Sequence, residues 1–121
     1  MKIKIYPCPG HCNVSMMTKT VAQYFGIVDE ENITILPHVS MNILQEIEAS
    51  DDTVKYIAMN GCPSTCASMA YEDIGYKLYD EIVMTPDHDL KHNEKYANLD
   101  DLDAEIEHAQ QALDKIIESY Q

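Results

Sequence analysis

The chain contains no arginine and no tryptophan. Its eight cationic side chains are all lysines, set against 21 acidic residues, for a formal net charge of -13. Nucleic-acid binding rests on lysine and arginine neutralising phosphate, so this balance excludes nucleic acid as an expected partner. An anionic membrane surface is excluded on the same ground. The bidentate guanidinium clamp for phosphate or carboxylate substrates is missing altogether. Long apolar runs are missing too, and none approaches the ~18 residues of a membrane span. The opening MKIKIYPCPG reaches proline at position 7, too soon for the apolar core of a secretory signal. There is no glycine-rich phosphate loop, no G-x-S-x-G and no H-E-x-x-H, so the common phosphate, serine-nucleophile and zinc-protease signatures are absent. The expected setting is the cytosol, and the expected fold unit is a single α/β domain over residues 1–121, long enough to bury a core without disulfides.

What the sequence does have is a repeated cysteine pattern. Cys8-Pro9-Gly10-His11-Cys12 and Cys62-Pro63-Ser64-Thr65-Cys66 both read C-P-x-x-C, and together they hold all four cysteines. In a reducing compartment, paired cysteines bind metal or react more often than they form structural bridges.

Periodicity places these motifs. KIKIY (2–6), NITIL (32–36), TVKYIAMN (53–60) and DEIVMT (80–85) read as strands, the third apolar enough to be buried on both faces. Helices are expected from Asn13 to Phe25 with Gly26 as the stop, over 41–50, over 65–74 with Gly75 as the stop, and from about Asp100 to Tyr120. Each half runs strand, C-P-x-x-C, helix, glycine, strand, proline, histidine, which suggests duplication. Alternating strands and helices imply a small doubly wound parallel sheet of about four strands in the order 2-1-3-4, flanked by helices. Strands one and three are then neighbours, and both cysteine loops lie at their carboxyl ends. The final helix carries Leu102, Ile106, Ala109, Leu113, Ile116 and Tyr120 on one side. That stripe covers a face of the sheet or, because its spacing is also heptad-like, forms a homodimer or partner-protein seam.

Proline favours the first position of a helix, which predicts the first cysteine of each motif near a helix start and the second one turn later. The open N–H groups there favour thiolate over thiol. Four thiolates suit zinc, with copper(I), another soft metal or an iron–sulfur cluster as open alternatives. The candidate ligands are Cys8, Cys12, Cys62 and Cys66, with His38 and His11 as alternates. His88 and His92 fall near the same sheet edge; His108 lies on the acidic helix and is expected to face solvent. The methionines read as core filler. Asp73, Asp80 and Glu81 read as solvated, and no residue stands out as a general acid or base. The rival reading is a thiol enzyme handling disulfide, persulfide or metalloid chemistry, with Cys62 as nucleophile and Cys66 as resolving thiol.

NGCPSTCASMAYEDIGYKLYDEIVMT (60–85) resembles the DGC family, named for a central Asp-Gly-Cys, with Asn60-Gly61-Cys62 at that motif. YPCPGHCNVSMM resembles the family's amino-terminal CSGASN-like motif, with Cys8 and Asn13 in register, and VMTPDHDLKH resembles its carboxyl-terminal stretch. The resemblance runs from about residue 3 to residue 92 and leaves the final helix outside. It implies zinc binding, inferred for the family from cysteine content, and no established reaction. Asn60 stands in place of the family's aspartate, His38 where a further cysteine is common, and Cys12 where a small residue is usual.

Overall fold

A computed structural model of the chain describes residues 1–10, 12–61, 65–84 and 102–121. Strand β1 (Lys2–Pro7) leads through the first cysteine loop into helix α1 (Asn13–Val28). Then follow β2 (Ile33–Ile35), α2 (Met41–Ala49), β3 (Val54–Asn60), α3 (Cys66–Asp73), β4 (Asp80–Val83) and α4 (Leu102–Ser119). All pairings are parallel and the sheet order is β2-β1-β3-β4, as the alternation of elements predicts. Lys2 pairs with Val54 and Pro7 with Met59, so β1 and β3 run in step along their shared length.

The period-2 alternation of β3 divides the interior in two. Ile57 and Met59 join Ile5, Val21, Phe25 and Ile82 on the side covered by α1 and α4. Tyr56 and Ala58 join Tyr6, Leu36, Ile43 and Tyr71 on the side covered by α2 and α3. The second layer is rich in tyrosine: Tyr71 meets Tyr6 and Tyr56 edge-on and stacks on Tyr79 at 5.3 Å. Helix α4 buries Ala109 and Leu113 and lays Leu102, Ile106 and Ile116 against the first layer. Its apolar stripe covers the sheet face.

One expectation changes. Gly26 does not end α1, which continues to Val28 with the Asp29 N–H bonded to Phe25 O. Gly26 lies instead where a Cβ would fall 3.1 Å from Ile35 Cγ1, so it serves the close approach of α1 to β2. Gly75 does stop its helix: it adopts φ +88° just beyond α3 and returns its N–H to Glu72 O. The glycines of the two halves therefore play different parts. The expected start of the last helix at Asp100, and His88 and His92, lie outside the described residues.

Candidate functional site

The first motif leaves the sheet at the end of β1. The Cys8 N–H still donates to Met59 O at 2.8 Å, extending the ladder to β3 by one rung. That bond turns Cys8 into the interior, where it is 4% exposed. The chain reverses through Pro9 and Gly10, whose carbonyl accepts the Lys19 ammonium at 2.6 Å. Cys12 is then the residue that caps α1, with its carbonyl accepting the Met16 N–H. In the second motif, Cys66 is the first residue of α3. Both helices thus begin at the second cysteine of their motif, not the first. Pro9 serves the turn, and Cys8 belongs to the strand's end.

Ser15, one turn into α1, joins the first pair. Its hydroxyl lies 3.1 Å from Cys8 Sγ and 3.2 Å from Cys12 Sγ, and the side chain is buried. A hydroxyl has one proton, so it donates to one sulfur and can accept only from the other. The room for it depends on Gly10: a Cβ there would fall 2.7 Å from Ser15 Oγ. Gly61, ahead of the second motif, is pressed against the same turn. A Cβ on it would lie 3.0 Å from Val14 Cγ1 and 3.5 Å from the Ser15 backbone nitrogen. The start of the second loop and the start of α1 are therefore in contact.

The start of α3 is built differently. Its N-cap, Thr65, holds left-handed backbone angles (φ 51°, ψ 47°) and makes no side-chain cap bond. A β-branched residue there is strained, and such strain persists only when its surroundings enforce it. The cap comes from β3. Asn60, fully buried at the end of that strand, accepts the N–H of Ala67 at 3.0 Å and of Ser68 at 3.2 Å through Oδ1. Its Nδ2 donates to Ser68 Oγ at 2.8 Å, and Ser68 in turn donates to Glu81 Oε2 at 2.5 Å. The position that names the family's motif is, in this chain, the cap of the helix carrying Cys66.

Tyr6 lies between the halves. Burial pushes its hydroxyl above the ordinary tyrosine range, and the charges of Cys8 and Cys66 push it the same way. Cys8 and Cys66 thus act on one phenol from the two motifs. Cys8 and Cys12 converge on Ser15, and Cys66 is exposed at the same rim. His38 is exposed beyond β2, while Cys62 and His11 lie outside the described residues. Among the described residues, no group of three or more His, Cys, Asp or Glu side chains is arranged to hold a metal ion.

Residues 4–115 match the sequence profile of the DGC domain. The chain belongs to the DGC domain family. The match extends past residue 92 and takes in most of α4, which the motifs alone had left outside. No curated protein and no solved structure matches the chain.

As a donor set, the pair of sulfurs fits a soft ion. The two can be no farther apart than their two bonds to Ser15 Oγ laid end to end. A tetrahedral zinc with ~2.3 Å bonds would need them about 3.8 Å apart. Reading the sequence missed Ser15, Tyr6 and the chain Asn60–Ser68–Glu81. A faint signal was there: a serine follows each second cysteine within three residues. One smaller expectation also changes: Met16 and Met69 are half exposed rather than core. Asp80 and Glu81 accept hydrogen bonds from Tyr120 and Ser68, with Glu81 exposed as expected.

Proposed function

We propose that this DGC-domain protein binds a soft metal ion, zinc in the first instance, at the carboxyl rim of β1 and β3. Cys8, Cys12, Cys62 and Cys66 are the ligands, with His38 and His11 as alternates. The single observation that supports the reading most is the pairing of β1 with β3. The Cys8 N–H bonds to Met59 O, so the first motif begins beside the strand from which the second departs. The role is metal binding, sensing or delivery in a reducing, cytosolic setting. Four protein thiolates would close the coordination sphere of a structural site, whereas a delivery site would keep one position open.

The test is elemental analysis with a thiol count on protein purified in metal-free buffer and then given one equivalent of zinc. The expected result is one zinc per chain, lost in Cys8→Ala and in Cys62→Ala, with thiols protected from alkylation while zinc is bound. No retained metal and four freely alkylated thiols would overturn it. That outcome would favour the second reading, a thiol enzyme with Cys62 as nucleophile and Cys66 as resolving thiol. The exposure of Cys66 at the first residue of α3 is what supports that alternative.

A further inference from the structure

The two sulfurs of the first motif stand in unequal surroundings. Cys8 is 4% exposed, whereas Cys12 is only half-buried. One hydroxyl serves both: Ser15 Oγ lies 3.1 Å from Cys8 Sγ and 3.2 Å from Cys12 Sγ, on a side chain that is itself buried. The two threonines of α1 behave differently. Thr18 donates to Val14 O at 2.8 Å and Thr20 to Met16 O at 3.0 Å, the usual back-bond of a hydroxyl on a helix. Ser15 turns to the sulfurs instead, and two glycines make the room. A Cβ on Gly10 would fall 2.7 Å from Ser15 Oγ, and one on Gly61 would fall 3.5 Å from the Ser15 backbone nitrogen. When both cysteines ligate a metal, neither sulfur keeps a proton. The Ser15 proton is then the one hydrogen these three groups share, and it goes to one sulfur only. A buried charged acceptor is costly without a donor, while a half-buried one can turn to water. Cys8 is therefore the sulfur that needs the hydroxyl.

We propose that Ser15 is the positioning residue of the metal site: its hydroxyl donates to Cys8 Sγ and sets that buried sulfur for coordination. The inference rests on the metal-binding reading given above, and it assigns a role at that site to a side chain that holds no metal itself. A hydrogen bond to a ligating thiolate is charge-assisted, so it both orients the sulfur and draws electron density from it.

The test compares the full-length parent with Ser15→Ala and with the isosteric pair Ser15→Thr and Ser15→Val. Zinc affinity is read by competition with a chromophoric chelator. Cobalt(II) in place of zinc adds a sulfur-to-metal charge-transfer band, which reports the electron density on the sulfurs. Ser15→Ala should take up one equivalent of zinc with its affinity lowered roughly tenfold or more, the usual loss when a ligand's hydrogen-bond partner is removed. Its cobalt band should move to longer wavelength, because a thiolate that loses a donor gives up its electrons more easily. Ser15→Thr should bind zinc roughly tenfold or more tightly than Ser15→Val. Those two side chains share one shape, so packing effects cancel and the hydroxyl alone is read, even if Ser15→Ala fails to fold. A parent that binds one zinc while all three variants match it overturns the role of Ser15 and leaves the metal reading standing. So does a loss of affinity with the cobalt band unmoved, or equal affinity in the threonine and valine variants, since Ser15 would then act through packing. A parent that retains no zinc overturns the metal-binding reading itself and this inference with it.

Discussion

A Cβ at position 10 has nowhere to go while Ser15 keeps its hydroxyl. The clash would be 2.7 Å to Ser15 Oγ, whereas the next atoms, Ser15 Cβ and Cys8 Sγ, stand at 3.5 and 3.8 Å, ordinary contacts. Gly10→Ala is therefore expected to destabilise the protein by about 1–3 kcal/mol, the usual cost of overpacking. Most of that cost should vanish when Ser15→Ala is already present, because the atom in conflict is gone. Urea unfolding of the two single variants and the double variant measures the coupling. Additive costs would mean that Gly10 is there for its backbone alone. None of this was legible in the sequence. Neither Gly10 nor Ser15 stood out, since spacing does not reveal which hydroxyl faces inward. The cysteines themselves were legible, because their repeated proline context sets them apart from ordinary buried cysteine.

At the scale of elements, α3 begins on a strained residue and borrows its cap from the neighbouring strand. The polarity of the chain Asn60–Ser68–Glu81 is fixed by its ends. Asn60 supplies an N–H to Ser68 Oγ, which frees the Ser68 proton for the Glu81 carboxylate. An aspartate at position 60, as in the family's signature, would keep the cap but lose that donor. Ser68 could then satisfy only one of two carboxylates. Asn60→Asp is expected to cost about 1–3 kcal/mol, the penalty of a buried polar group left without its partner. The double variant with Glu81→Gln should recover most of the loss, because the glutamine amide can donate to Ser68 Oγ while the new carboxylate at position 60 accepts from it. Thermal and urea unfolding of the three variants checks the sign of the coupling. The elements were largely readable in advance. Strand order followed from the alternation of β-branched runs with helical periods, and Gly75 worked as the stop it resembled. The helix starts at Asn13 and near Thr65 were readable too, but Cys8 was assigned to a helix start when it closes the strand and Cys12 caps α1. Gly26 was misread because a packing contact with Ile35 gives the same residue as a cap does.

Across the whole molecule, ionisation of tyrosine sets the alkaline limit. The chain holds eight tyrosines and one phenylalanine, and much of the layer under α2 and α3 is built of phenols. Burial raises the Tyr71 and Tyr76 hydroxyls above the ordinary value, each then pushed further by neighbouring tyrosines. Burial also raises Tyr79, together with its hydrogen bond to Glu72. Tyr120 donates to the Asp80 carboxylate, which ties the end of α4 to β4, and that bond pushes it up to about 12. A raised folded value means that the neutral form is the one the fold favours. Its stabilisation is fully present below the unfolded value near 10 and is lost as pH rises through the folded value, here about 12 for Tyr120. Stability should therefore decline steeply from about pH 10 upward, with the acidic surface adding repulsion as each phenolate forms. Tyrosinate absorbance and circular dichroism followed together should show ionisation of the buried phenols coinciding with loss of structure. Tyr120→Phe removes one titrating group and should make the decline shallower between about pH 10 and 12. If the phenols ionised freely near pH 10 while the helical signal persisted, the tyrosine layer would be far more open to water than Tyr56 and Tyr71, 2% and 0% exposed, allow.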